Sequence, residues 1–178
     1  MPLLVSGVLA GCANPPIKLS DKAASEFQVP FKKITVDDLG SDIKIQISDT
    51  VWVNGWVGGD DGFKPPLHTI FTSKLKNSLK ATGQIGEVNI AVMRAGYFME
   101  TNMADSLAFV NMLIVYRDRA IKCDVDVNIK TEFRSDRKVF EHQIRRSIIE
   151  KDDETKQFLA ECQADLVKQI AENITNKK

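Results

Sequence analysis

Residues 121–129 read Ile-Lys-Cys-Asp-Val-Asp-Val-Asn-Ile, so that apolar and polar residues alternate without exception. Because successive side chains of a β-strand point to opposite faces, this pattern predicts a strand with one buried face and one polar face. Near the C-terminus, apolar residues recur at the spacing of a helix: Phe158, Leu159, Cys162, Leu166, Ile170 and Ile174. Packing the helix on the strand buries both apolar surfaces, and this predicts an α+β fold.

Further strands and a further helix are predicted around this pair. Alternating isoleucines from Ile43 and the dipeptide Asn54-Gly55 predict a hairpin over 43–57. In chain order we then expect a helix over 67–82, strands over 87–99, 107–117, 121–133 and 138–148, and a helix over 153–174. The expected architecture is an antiparallel β-meander with two helices packed on one of its faces.

The N-terminal segment carries a signal of another kind. An apolar run over 3–10 ends at Leu9-Ala10-Gly11-Cys12, and Ala13-Asn14-Pro15-Pro16 follows at once. The first quartet resembles the lipobox of bacterial lipoproteins, which signal peptidase II cleaves before a cysteine that carries lipid. The resemblance implies that residues 1–11 are a signal peptide and that Cys12 is acylated. Since no basic residue precedes the run, we expect this leader to be truncated. A buried strand over 3–10 with an ordinary Cys12 is the alternative.

The same resemblance implies a location and a domain organisation. Ala13, rather than Asp, follows the cysteine, and in lipoproteins this favours sorting to the outer membrane on its periplasmic side. We expect residues 12–33 to be the lipidated N-terminus and a flexible tether, because they show no apolar period, and 34–178 to be one periplasmic domain. The order of elements is similar to that of small uncharacterised outer-membrane lipoproteins of the YajG type. This resemblance implies no active site for the chain.

The cysteine count is compatible with a disulfide. If Cys12 carries lipid, the other two of the three cysteines, Cys123 and Cys162, form an even pair. Each lies on the apolar face of its predicted element, and an oxidising compartment would allow them to join. Two reduced, buried thiols are the alternative, and sequence does not decide between them.

Charge and motifs argue against several classes of function. Basic and acidic residues are equal at 24 each, so no net field attracts nucleic acid. The two histidines, His68 and His142, have no second histidine or cysteine at metal-ligand spacing, and we expect His68 to be a surface residue. No nucleophile, phosphate-binding or dinucleotide motif occurs. We therefore expect no metal, no cofactor and no enzymatic activity.

The best candidate for a binding site in the sequence is the loop over 52–66. This glycine-rich loop contains Trp52, Trp56, Asp60 and Asp61. Its conformation could place the carboxylates beside an aromatic face, as in glycan-binding sites. The alternative is a plain connection between hairpin and helix whose tryptophans anchor the core.

These observations predict a lipid-anchored periplasmic protein that acts as a non-enzymatic scaffold or accessory subunit of an envelope assembly. Its expected partners are the membrane, through the anchor, and an envelope protein. The alternative function is ligand binding or envelope remodelling, with the 52–66 loop contacting peptidoglycan or lipid.

Overall fold

The computed structural model describes residues 19–20, 25–40, 56–57, 65–101, 117–148 and 152–176. Within these ranges the elements are β1 (Phe27–Asp38), β2 (Trp56–Val57), α1 (Leu67–Ser78), β3 (Leu79–Thr101), β4 (Arg117–Thr131), β5 (Ser135–Ile148) and α2 (Asp152–Thr175). Both helices contact the sheet and each other. The predicted α+β class is confirmed, and no helix in these ranges is long and apolar enough to cross a membrane.

The sheet is mixed rather than entirely antiparallel. Its long strands lie in the order β1-β3-β4-β5, and β2 pairs with the end of β3. The pairs β3–β4 and β4–β5 are antiparallel, as a meander requires, whereas β1 and β3 are parallel. The meander prediction is therefore wrong at β1. The chain passes through α1 between β1 and β3, and a crossover of this kind returns the second strand in the direction of the first.

Strand β1 also corrects the predicted tether. Because β1 begins at Phe27, the stretch from Phe27 to residue 33 belongs to the sheet, and the domain starts earlier than residue 34. The side chains of Val29 and Phe31 are 1% and 5% exposed, so this stretch contributes to the core. Between them lies Pro30, which has no N–H to donate, and the pairing with β3 shifts register at this point.

The boundary between α1 and β3 differs from the prediction. The helix ends at Ser78 rather than at residue 82, because Leu79 already has extended backbone angles. Gly83, the residue directly after the predicted helix, lies inside β3 with φ of +81°. That conformation is open to glycine without a steric penalty. The predicted strands over 87–99, 121–133 and 138–148 correspond to β3, β4 and β5, and the predicted C-terminal helix to α2.

Two predicted elements lie largely outside the described residues. Of the hairpin over 43–57, only Trp56 and Val57 are described, as β2. Of the strand over 107–117, only Arg117 is described, as the first residue of β4.

The core lies between the sheet and the two helices. The alternation in residues 121–129 directs Cys123, Val125 and Val127 toward α2, and none is more than 2% exposed. They pack with the helical stripe of α2 and with Phe71 and Leu75 of α1. A disulfide between Cys123 and Cys162 joins β4 to α2 across this core, with the two Cα atoms 6.1 Å apart.

Candidate functional site

Most residues of the predicted binding loop lie outside the described part of the chain. Trp52, Asp60 and Asp61 belong to this group, as does the predicted lipidation site Cys12. Trp56 lies in β2, where its backbone pairs with Met99 of β3. The 52–66 loop and the anchor at Cys12 therefore stay predictions.

The structure contains an open groove between β5 and α2. The groove encloses about 560 Å³ and is lined by Lys138, Val139, Phe140, Glu141, Gln169, Glu172, Asn173 and Asn176. The last four recur at helical spacing, so they share one side of α2. Because the apolar stripe of α2 is committed to the core, this side of the helix turns its polar side chains toward the strand.

One wall of the groove is the edge of the sheet. Among the described strands, β5 pairs only with β4. The carbonyl oxygen of Glu141 accepts a hydrogen bond from Nε2 of Gln169 at 3.0 Å, so this carbonyl points away from β4 and toward α2. Backbone orientation repeats every second residue in an antiparallel strand, and Val139 and Arg137 therefore direct their N–H and C=O groups to the same open side.

Gln169 holds α2 against this edge. Its Nε2 also donates to Oδ2 of Asp165 at 2.8 Å, and the same carboxylate is 2.7 Å from Nδ1 of His142 on β5. The histidine thus ties the strand to the helix at one end of the groove. Further along, Nζ of Lys138 lies 5.0 Å from the centre of the Phe140 ring, which forms an apolar floor. The groove therefore combines backbone hydrogen-bonding groups with amide side chains and one aromatic ring.

The sheet face turned away from the helices is charged, and we call it the polar face. Asp124 and Asp126, the polar positions of the 121–129 stretch, lie here with Arg94 and Arg137. Both aspartates are less than 10% exposed. Burial raises the pKa of Asp124, although the pairing with Arg94 opposes this shift. Asp126 accepts two hydrogen bonds from Nε of Arg137 and one from Nη2, the latter at 2.6 Å, so Arg137 is held in a fixed orientation.

A second polar cluster joins the end of β1 to the start of α1. The carboxylate of Asp38 accepts from Nδ1 of His68 at 2.7 Å, from Oγ1 of Thr69 at 2.8 Å and from the N–H of Gly40 at 3.1 Å. Burial alone would raise the pKa of Asp38, but these hydrogen bonds outweigh it and hold the pKa below its usual value. The side chain of His68 is only 11% exposed, so the expectation of a surface residue is wrong.

The packing around Gly40 shows that this cluster has a structural role. A Cβ atom at Gly40 would lie 2.3 Å from Cγ of His68, so a larger residue would displace the imidazole. Both carboxylate oxygens of Asp38 already accept hydrogen bonds from the protein. The cluster fastens the start of α1 to the sheet.

Sequence reasoning missed the groove because its residues carry no motif. Gln169, Glu172 and Asn173 are typical of the solvated side of an amphipathic helix, and Val139 and Phe140 belong to the predicted strand over 138–148. The one local signal was the spacing of the amides on α2. Within the described ranges, no three His, Cys, Asp or Glu side chains gather in a metal-binding arrangement.

Of the comparisons with known proteins, the one with solved structures finds similar chains. No protein-family model matches it, and no curated protein matches it. It is similar to a minor lipoprotein from Acinetobacter baumannii at a TM-score of 0.41 and 11% identity, covering 83% of this chain and 93% of that one. It is also similar to a Xanthomonas campestris protein of the DUF330 family at a TM-score of 0.41 and 11% identity, with 92% and 97% covered. A third structure, an uncharacterised protein, has a TM-score of 0.40 and 12% identity, with 90% and 99% covered.

Proposed function

We propose that this protein is a non-enzymatic subunit of a bacterial envelope assembly, anchored by lipid at Cys12 and joined to its partner by strand addition at β5. One observation carries the proposal: among the described strands only β4 pairs with β5, and the other edge of β5 is flanked by a groove whose second wall is the polar side of α2. An extended polypeptide is the ligand that best matches an unpaired strand edge, because main-chain hydrogen bonds then continue the sheet.

The chemistry of the groove supports a polypeptide as its occupant. The backbone groups of Arg137 and Val139 offer hydrogen bonds that any extended segment can complete. On the opposite wall, Asn173 and Asn176 carry amides that both donate and accept. The ring of Phe140, on the face of β5 that is turned toward α2, offers an apolar contact.

The lipid anchor would raise the strength of this weak, local contact. Attachment to a membrane confines the domain to a surface and increases its effective concentration toward partners on the same surface. Stable anchoring requires more than one acyl chain, since a single chain binds reversibly. The proposed mechanism is therefore tethering followed by docking, with no bond made or broken.

The anchor is tested by fatty-acid labelling. The gene is expressed with its native upstream region in bacteria that are fed a radiolabelled fatty acid, beside the variant Cys12→Ala. We expect label in the wild-type chain alone, and label that travels with the outer membrane on fractionation. An unlabelled wild-type chain would contradict lipid anchoring.

The docking site is tested separately by photocrosslinking in cells. A photoreactive amino acid replaces Asn173, which lines the groove, and in a matched control it replaces Lys76 on the exposed side of α1. We expect a polypeptide adduct from position 173 and none from position 76. The variant Val139→Pro, which removes the N–H at the edge, should abolish the adduct, whereas Val139→Thr should retain it. Equal adducts from both positions, or none, would overturn strand addition.

A further inference from the structure

The edge of β5 has a charge pattern that is complementary to its own reverse around Val139. Arg137 lies two residues before Val139 and Glu141 two residues after it. All three direct their backbone groups to the open side, as the hydrogen bond between Gln169 and the carbonyl of Glu141 shows. Antiparallel pairing of this edge with a second copy would set Arg137 opposite the partner's Glu141, and Glu141 opposite the partner's Arg137.

We infer that the partner at this edge is a second copy of the same chain, with the two β5 strands antiparallel and the two-fold axis at Val139. This inference rests on the strand addition proposed above and names the polypeptide that takes part. Opposite charges in directly facing positions stabilise an antiparallel pair. The two Val139 side chains, each exposed in the single chain, would meet at the axis.

Existing ion pairs extend this complementarity across the polar face. Nζ of Lys122 lies 2.8 Å from Oε2 of Glu141, and Nη2 of Arg137 lies 2.6 Å from Oδ2 of Asp126. In the paired sheet, four charged side chains would lie next to one another across the polar face. In order they are Lys122, Glu141, the partner's Arg137 and the partner's Asp126, so each side chain would neighbour one of opposite charge. The side chains of Arg137 and Glu141 are 66% and 53% exposed, which leaves both accessible to a second strand.

Neighbouring registers lack this complementarity. If the axis moved to Lys138, the two Lys138 side chains would face each other as like charges. If it moved to Phe140, Arg137 would face Gln143 and Glu141 would face Val139, so both opposite-charge pairs would be lost. If the axis lay between two residues, backbone groups that point to the open edge of one strand would face residues of the other strand whose backbone groups point toward β4. Such a register could not form the ladder of hydrogen bonds. The axis at Val139 is therefore the register that charge favours.

Cysteine crosslinking tests the axis directly. Residues that exchange hydrogen bonds in an antiparallel pair have Cα atoms about 5.5 Å apart, a separation that a disulfide spans. The full chain is expressed with its native upstream region, and cells are treated with an oxidant. We expect Val139→Cys to give a reducible species of twice the mass that contains only this chain. The control Phe133→Cys, at a 92% exposed position in the turn between β4 and β5, should stay monomeric, as should the wild type.

Charge reversal tests the register. In the Val139→Cys background, Arg137→Glu alone or Glu141→Arg alone sets like charges opposite each other at two places, and the crosslinked fraction should fall about tenfold. Co-expression of the two single variants should restore crosslinking between them, because each then offers the complement of the other. Thermal unfolding of each variant checks its fold, and if one does not fold the other still tests the register.

The outcomes separate this inference from the function on which it rests. If Val139→Cys joins a different polypeptide, strand addition stands and the second copy is excluded. If Val139→Cys crosslinks no more than Phe133→Cys, while the groove position still yields an adduct, the two-fold axis is wrong. If neither position yields an adduct, both proposals fail.

Discussion

At the residue scale, Asp38 shows how one carboxylate fastens two elements. It accepts hydrogen bonds from His68, Thr69 and the N–H of Gly40, so Asp38→Ala leaves these three donors without their acceptor. We expect a loss of about 1 kcal/mol in the free energy of unfolding, since the site is partly open to water. Asp37→Ala is the matched control, because the carboxylate of Asp37, next to Asp38 in sequence, accepts a single hydrogen bond, from Asn89. Urea unfolding measures both, and equal losses would contradict the assigned role.

The same residue predicts a dependence of stability on pH. The pKa of Asp38 in the folded chain lies below its usual 3.8, so its carboxylate releases its proton more readily in the folded state. Its contribution to stability is complete above the unfolded pKa and is lost as pH falls through the folded pKa. The stability difference between the wild type and Asp38→Asn should therefore shrink on acidification below about pH 4. A constant difference between pH 6 and pH 3 would argue against this linkage.

At the element scale, a buried lysine links the two helices. Nζ of Lys74 on α1 donates to Oε1 of Gln163 on α2 at 2.7 Å, and both residues are less than 7% exposed. Lys74→Ala leaves the glutamine oxygen buried without this donor, so we expect a loss of about 1–3 kcal/mol in the free energy of unfolding. Lys76→Ala, on the exposed side of the same helix, is the control and should change stability little. Chemical denaturation of both variants compares them, and a similar effect of the two would refute a specific link.

At the scale of the whole molecule, the disulfide between Cys123 and Cys162 connects β4 to α2 over 39 residues. On the chain-entropy model, closing a loop of this length stabilises the fold by about 4 kcal/mol. The double variant Cys123→Ala and Cys162→Ala should lower the denaturant midpoint accordingly, whereas Cys12→Ala should not. Because both cysteines are no more than 2% exposed, reductant should act only as fast as the domain opens. Rapid reduction of the folded protein would contradict this buried position.

Local periodicity explains which parts of the fold were predictable. The strand around residues 121–129 and the helix α2 are confirmed, because their apolar positions repeat at the period of the element itself. The sequence predicts a tether where β1 begins, because Pro30 and the lysines that follow it interrupt the alternation. The burial of β1 depends on parallel pairing with β3, a contact between residues about 50 positions apart that no local pattern records.

The sequence by itself determined the α+β class, the alternation of β4 and the stripe of α2, because these features depend on neighbouring residues along one element. It placed Cys123 and Cys162 on facing apolar surfaces but left their pairing open. The tertiary structure decided that they join, that β1 runs parallel to β3 and that β5 is the edge of the described sheet beside α2. An edge is a property of strand order, which arises from contacts between distant segments, so the groove and its self-complementary charges become visible only in the folded chain.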